Sequence, residues 1–259
     1  MKIAVCVKQI PDPEEPVDYD VLSHTVVREG DLVFDDSDAY GVEMALRLAA
    51  QSGGAEVTLI SMAPNGQTSG LRGALAMGAE SAVLVSDPAL GGSDALSTAK
   101  VLAAAVSRVG ADLVVAATES TDGYTGTVPV QIAEILGFPA LSYVRKVELD
   151  GNTLKAERQT AEGFDEVACA LPAVITVTAG VVEVRYPTFK GIMSARSKPV
   201  ETLSLSDLGI DSSSVGATGA RQEVVSVEEA PSRASGKILE DASDPSAEIV
   251  ACLKSWKVL

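Results

Sequence analysis

One histidine and three cysteines in 259 residues leave little material for several familiar chemistries. A Ser-His triad or a histidine metal cluster would have to be built around His24 alone, which lies in a polar loop and reads as a solvated side chain. Cys6, Cys169 and Cys252 are odd in number and widely spaced. They form neither a metal-knuckle pattern nor a disulfide framework, so a reducing cytoplasm is the expected compartment. No metal site and no catalytic residue are expected.

Cations are also scarce. Twenty Lys and Arg stand against 36 Asp and Glu, a formal charge of -16 with a pI near 4.4. Such a chain is not a nucleic-acid binder, because phosphate contacts need clustered basic groups. It remains compatible with a basic protein partner. Long apolar runs are absent too: the stretch in MKIAVCVKQIPDP is too short for a signal peptide, and no run reaches about 18 residues, so no membrane insertion is expected.

What is present is an ordinary globular composition, 46% apolar and 22% charged, with enough length for one large domain and an appendage. Ile3 to Lys8, Glu56 to Ser61, Ala82 to Ser86 and Leu113 to Ala117 are short apolar runs bounded by turn residues, as in strands buried on both faces. Between them Val42, Ala45, Leu46 and Ala49 fall at helical spacing, with Glu43 and Arg47 assigned to the opposite side. Ala95, Ala99, Leu102 and Val106 repeat that spacing, and Gln67 to Gly78 gives a further helix. The alternation predicts an α/β fold, a Rossmann-like three-layer α/β/α sandwich with a mainly parallel sheet.

Past Pro139 the pattern changes. Val144 to Leu149, Leu154 to Gln159 and Glu166 to Leu171 read as antiparallel strands joined by turns at Asp150-Gly151-Asn152 and Glu162-Gly163. Pro172 to Thr178 reads as another buried strand. The expected boundary falls after Leu208: residues 1–208 form the domain, and 209–259 form a linker and C-terminal arm. Ile249, Cys252, Leu253 and Trp256 fall on one face of a short terminal helix, which would dock either on its own domain or on a partner subunit.

Two segments carry functional possibilities. Thr118 to Pro129 puts small hydroxyl residues and glycines between a strand and the helical run Val130 to Gly137, where backbone N–H groups and a helix N-terminus could receive an anion. It is neither a G-x-G-x-x-G fingerprint nor a Walker loop, and Glu119 and Asp122 oppose phosphate, so a helix start without a ligand is the competing reading. Lys8 is placed to meet an anion or a carboxylate. Cys6 reads either as a redox thiol or as a small buried hydrophobe. Arg185 to Pro199 holds four cations and no acid, which suggests a surface for an acidic partner. Phe189, Ile192 and Met193 share a face of a short helix after Pro187, either as an exposed anchor or as closure of the domain's own core.

These pieces resemble the electron-transfer flavoprotein β subunit across nearly the whole chain. The resemblance is carried by VKQIPD at 7–12, VEMALRL at 42–48, ALAMGAE at 74–80, TESTDGYTGTVPVQIAEILGFP from Thr118, LPAVITV from Leu171 and, most specifically, RYPTFKGIMSARSKP at 185–199. It implies an electron carrier, not an enzyme, paired with an α subunit that holds most of the FAD. That carrier would take electrons from acyl-CoA and related dehydrogenases and pass them through a quinone oxidoreductase to the respiratory chain. It also implies structural AMP in this subunit, walled by Cys6, Asp38, Met62, Ala117, Ser120, Asp122, Gly123, Thr125, Gly126, Thr127 and Val128. Arg185, Tyr186, Phe189, Lys190, Ile192 and Met193 would form the partner-recognition loop. Asp35-Asp36-Ser37-Asp38 replaces the Asn-Pro-aromatic-Asp common in relatives, and Gln159 stands where some carry an acid. Some relatives hold a second FAD instead of AMP; Pro13, where those often have Thr, does not support electron bifurcation. A universal-stress-type or adenine-nucleotide-hydrolase-like ATP binder is the alternative with the same layers.

Overall fold

A computed structural model describes residues 1–16, 18–28, 30–228, 236, 238 and 244–259. The strands among them are β1 (Lys2–Cys6), β2 (Gln9–Ile10), β3 (Tyr19–Asp20), β4 (Thr25–Val26), β5 (Val33–Phe34), β6 (Glu56–Met62), β7 (Ser81–Val85), β8 (Leu113–Ala117), β9 (Ala140–Asp150), β10 (Thr153–Gln159), β11 (Phe164–Ala170), β12 (Ala173–Val177) and β13 (Val200–Leu203). The helices are α1 (Asp36–Gln51), α2 (Ser69–Ala76), α3 (Ala95–Val109), α4 (Val128–Leu136), α5 (Phe189–Ala195), α6 (Gly216–Gly219) and α7 (Pro245–Ser255).

Nine strands form one sheet in the order β11-β10-β9-β12-β8-β1-β6-β7-β13. Its middle is parallel, and β9, β10 and β11 extend it as an antiparallel meander. β8 and β12 are buried at every residue, which is why they carry uninterrupted apolar runs. Alternation along β1 sends Ile3 and Val5 into the core beneath α1 and α2, while Ala4 and Cys6 enter the core beneath α3 and α4. The fold is therefore the expected three-layer α/β sandwich.

Local chemistry sets the helix ends. Asp94 caps α3 by accepting the Ser97 N–H at 2.8 Å, and Gly110 ends that helix with φ 69, a conformation open to glycine. α1 packs on β8 at Gly41, where a Cβ would stand at ordinary contact distance, 3.5 Å, from the backbone of Ala116 and Ala117.

The structure adds elements that the sequence pattern did not indicate: the edge strand β13 beside β7 and the small pairings β2–β5 and β3–β4. It also buries Glu43, which helical periodicity had put on the solvent side. The compact first unit runs from Met1 to Val225, so residues 209–225 stay with it beyond the expected boundary, and Val215 is buried in its second core. A second unit, Ser226–Leu259, contains α7, whose first turn is capped by Asp244 accepting the Ala247 N–H. Residues 229–235, 237 and 239–243 of the expected arm lie outside the described residues.

Candidate functional site

The carboxyl ends of β1 and β8 open toward the loop from Thr118 to Thr127, which leads into α4. Three carboxylates organise this region from inside. Asp35 caps α1, accepting the Ser37 N–H at 2.9 Å through one oxygen and the Thr121 N–H at 2.8 Å through the other, so it ties the helix start to the loop. Asp122 takes the Lys8 ammonium at 2.6 Å and pairs with Arg28. Burial works to raise its pKa, but the two cations outweigh it and hold the carboxyl below its usual range. Asp38 accepts the Lys8 N–H at 2.6 Å. Burial first, and the neighbouring Asp35 and Asp122, push its pKa well above the usual carboxylate range against the opposing Lys8 interactions.

With these charges internalised, the loop offers backbone. Thr127 begins α4 without a side-chain cap. The N–H groups of Thr125, Gly126, Thr127 and Val128 have no acceptor among the described residues. Gly126 takes φ 63, and a Cβ at Gly123 would lie 3.4 Å from Ser120 Oγ and 3.6 Å from Lys8 Nζ, so a side chain there would crowd the cradle. Unpaired N–H groups at a helix start suit an anionic group. Glu119 tempers this: its Oε2 lies 3.3 Å from where a Gly126 Cβ would stand.

Cys6 and Met62 join the apolar core near α3 and α4. Burial, with a contribution from Asp38, pushes the Cys6 thiol up to about 12, so the small buried hydrophobe is the reading that fits and a thiolate is not. A cleft of about 710 Å³ lies against the start of the loop. It is walled by Thr118, Glu119 and Tyr124 of the loop, by Tyr143 of β9, by Gln159 at the end of β10, and by Val177 beyond Ala117. Of the residues expected around a nucleotide, only Ala117 lines it. Tyr124 and Tyr143 both hold positive φ, 48 and 55, a conformation that costs a non-glycine residue energy and is common where side chains are aimed at ligands.

The second region is the segment around α5. Thr188 caps this helix by accepting the Gly191 N–H at 3.0 Å. Gly191 lies against α2 so closely that a Cβ would come 2.5 Å from the Ala76 carbonyl oxygen. Only Ala195 of the helix is buried. Phe189 is 81% exposed, Tyr186 92%, Met193 50% and Ile192 47%, so the apolar face looks to solvent and does not close the core.

Two of the four cations in this segment are internal braces. Arg185 grips Glu43 through Nε at 2.5 Å and Nη2 at 3.1 Å, and Arg47 Nε holds the same carboxylate at 2.8 Å. Burial works to raise the Glu43 pKa, but bonds from Arg185 and Arg47 hold it below the ordinary value. Lys198 Nζ donates to the Leu75 and Ala79 carbonyls at 2.9 and 2.6 Å, closing the C-terminal end of α2. Lys190 and Arg196 remain exposed.

The electron transfer flavoprotein domain model matches residues 23–208. Electron transfer flavoprotein subunit beta of Mycobacterium bovis is 37% identical over 99% of both chains. The subunit beta of Megasphaera elsdenii is 34% identical over 96% of this chain and 95% of its own. A subunit of the caffeyl-CoA reductase-Etf complex of Acetobacterium woodii is 33% identical over 92% of each. The chain belongs to the electron transfer flavoprotein β family.

Membership in this family means electron transfer, and it makes the loop and α5 the regions of interest. The structure brings Ala117, Ser120, Asp122, Gly123, Thr125, Gly126, Thr127 and Val128 into one loop and helix start, with Asp38 at its base. Sequence reasoning missed Arg28, Glu43, Tyr124 and Tyr143. An acid beside the apolar stripe of α1 was the one available signal for Glu43. No local signal marked Tyr143, which reaches the cleft only through sheet order.

Proposed function

We propose that this chain is the β subunit of a heterodimeric electron transfer flavoprotein in which an α subunit holds most of the FAD. The complex accepts electrons from acyl-CoA and related dehydrogenases and hands them through a quinone oxidoreductase to the respiratory chain, in the cytoplasm. FAD supplies the redox chemistry. The chain itself positions, restrains and selects, with no acid, base or nucleophile of its own.

The observation that carries this reading is the exposed apolar face of α5, moored at both ends to the family's nucleotide domain. Burying one such side chain is worth about 1.5–3 kcal/mol, enough for an anchor in an encounter that must end after electron transfer. Arg185 serves as the root of this loop; Tyr186, Phe189, Ile192 and Met193 are its contact groups, and Lys190 its free charge.

AMP fits the loop as the structural nucleotide. The N–H groups of Thr125 to Val128 would hold its phosphate, Ser120 and Gly123 would give it room, and Cys6 and Met62 offer the apolar wall. Beside the loop, Lys8 is bonded to Asp122 rather than held out for a triphosphate, which disfavours an ATP hydrolase. Co-expression with an α subunit should give a yellow 1:1 complex that releases AMP on denaturation, read by mass spectrometry. A colourless chain that pairs with no α subunit would overturn the carrier reading, and release of ATP or ADP would overturn the AMP assignment.

A further inference from the structure

Residues 178–188 carry no helix or strand, yet they set the direction from which α5 starts. We propose that Glu43 is the positioning residue for the docking helix, a buried carboxylate on α1 that orients α5 by holding the main chain and side chain of Arg185. This rests on the docking role of α5 given above and adds the residue that enforces it.

Glu43 is 2% exposed, on a helix that packs its apolar residues into the core against the sheet. Its carboxylate does more than pair a charge. Oε2 accepts both Arg185 Nε and, at 3.4 Å, the Arg185 backbone N–H, while Oε1 accepts Arg185 Nη2 and Arg47 Nε. Arg47 in turn donates through Nη2 to the Glu183 carbonyl at 2.8 Å. Two guanidiniums and one carboxylate thus fix two main-chain positions of an irregular segment, at 183 and 185. Val182 and Val184 pack on the core between and beside them.

A buried carboxylate gains little net stability over an apolar replacement, but its bidentate fork with Arg specifies orientation. The far end is held independently. Arg72 Nη1 donates to the Ala195 and Lys198 carbonyls at 2.8 and 2.6 Å. Loss of the Glu43 tether therefore leaves α5 held by its packing on α2 at Gly191 and by Arg72 at the far end, with the direction of its N-terminal approach no longer fixed by Arg185.

The test uses the heterodimer co-expressed with its α subunit, carrying Glu43→Gln or Arg185→Gln. Arg185→Gln keeps Glu43 paired with Arg47, so it serves if Glu43→Gln folds poorly. Amide hydrogen exchange of residues 186–195 should speed up by about tenfold or more, with exchange in β1 and β8 unchanged. The KM for an acyl-CoA dehydrogenase should rise by about tenfold, while the limiting rate, flavin content and released nucleotide stay as in the parent. Arg185→Lys, which keeps one charged bond, should recover part of the lost protection. Unchanged exchange in 186–195 for Arg185→Gln would overturn the proposal. Phe189→Ala separates the layers: if it leaves KM unchanged, the docking reading fails, while exchange still judges Glu43.

Discussion

The loop before α4 and the segment around α5 handle charge in the same way and offer opposite surfaces. At the loop, Asp35, Asp38 and Asp122 turn inward and leave backbone N–H groups unpaired. At the segment, Arg185 and Lys198 are bonded back onto α1 and the end of α2 and leave apolar side chains exposed. In both, the charges that stand out in the sequence are struts, and what is presented outward is whatever they hold in place. Four cations as a steering surface therefore overstate the free charge: Arg185 and Lys198 are bonded, and Lys190 and Arg196 are the two with no side-chain partner among the described residues.

Asp122→Ala would leave Lys8 and Arg28 facing each other without their shared carboxylate, and because both cations reach solvent it should cost about 1–3 kcal/mol in urea unfolding. A loss under about 1 kcal/mol would mean that the loop is not braced as described. Lys198→Met, at the other region, removes the donor to the Leu75 carbonyl of α2 and the Ala79 carbonyl just beyond it, and should cost about 1–2 kcal/mol. Equal losses for a solvent-facing Lys190→Met would contradict the division into struts and free cations.

Acid separates the carboxylates by sign. The Asp122 pKa is lowered on folding, so its contribution is present above the unfolded carboxylate value and is lost as pH falls through the folded one. The Asp38 pKa is raised, so its contribution is full below the unfolded value and is lost as pH rises through the folded one. Asp38→Asn should therefore gain on the parent protein as pH rises above the unfolded carboxylate range, seen in unfolding curves at pH 4 and pH 7. Curves that stay parallel would remove Asp38 from the set of internal struts.

The smallest effect is expected from salt. With two unpaired cations in the segment among the described residues, raising ionic strength should slow encounter with an acidic partner by only a few-fold. A slowing of many decades would show that the steering charge lies elsewhere.

Much of the layer plan was legible because β1, β6, β7, β8 and β12 are buried on both faces and so read as continuous apolar runs. β13 was not: Val-Glu-Thr-Leu on a sheet edge has no such run, and its pairing comes from β7. Glu43 was misplaced because a helical period assumes one buried face, whereas α1 is covered both by the sheet and by the segment carrying Val182 and Val184. The cleft was invisible because Tyr143 and Gln159 meet the loop through the strand order β10-β9-β12-β8, a property of topology and not of spacing.

The docking role proposed for α5 is decided at Phe189, its most exposed helical apolar side chain. Stopped-flow reduction of the heterodimer's flavin by a substrate-reduced acyl-CoA dehydrogenase, compared between the parent and Phe189→Ala, tests it most directly. The expected result is a second-order rate about tenfold or more lower, with flavin content and melting temperature unchanged. An unchanged rate would contradict the account.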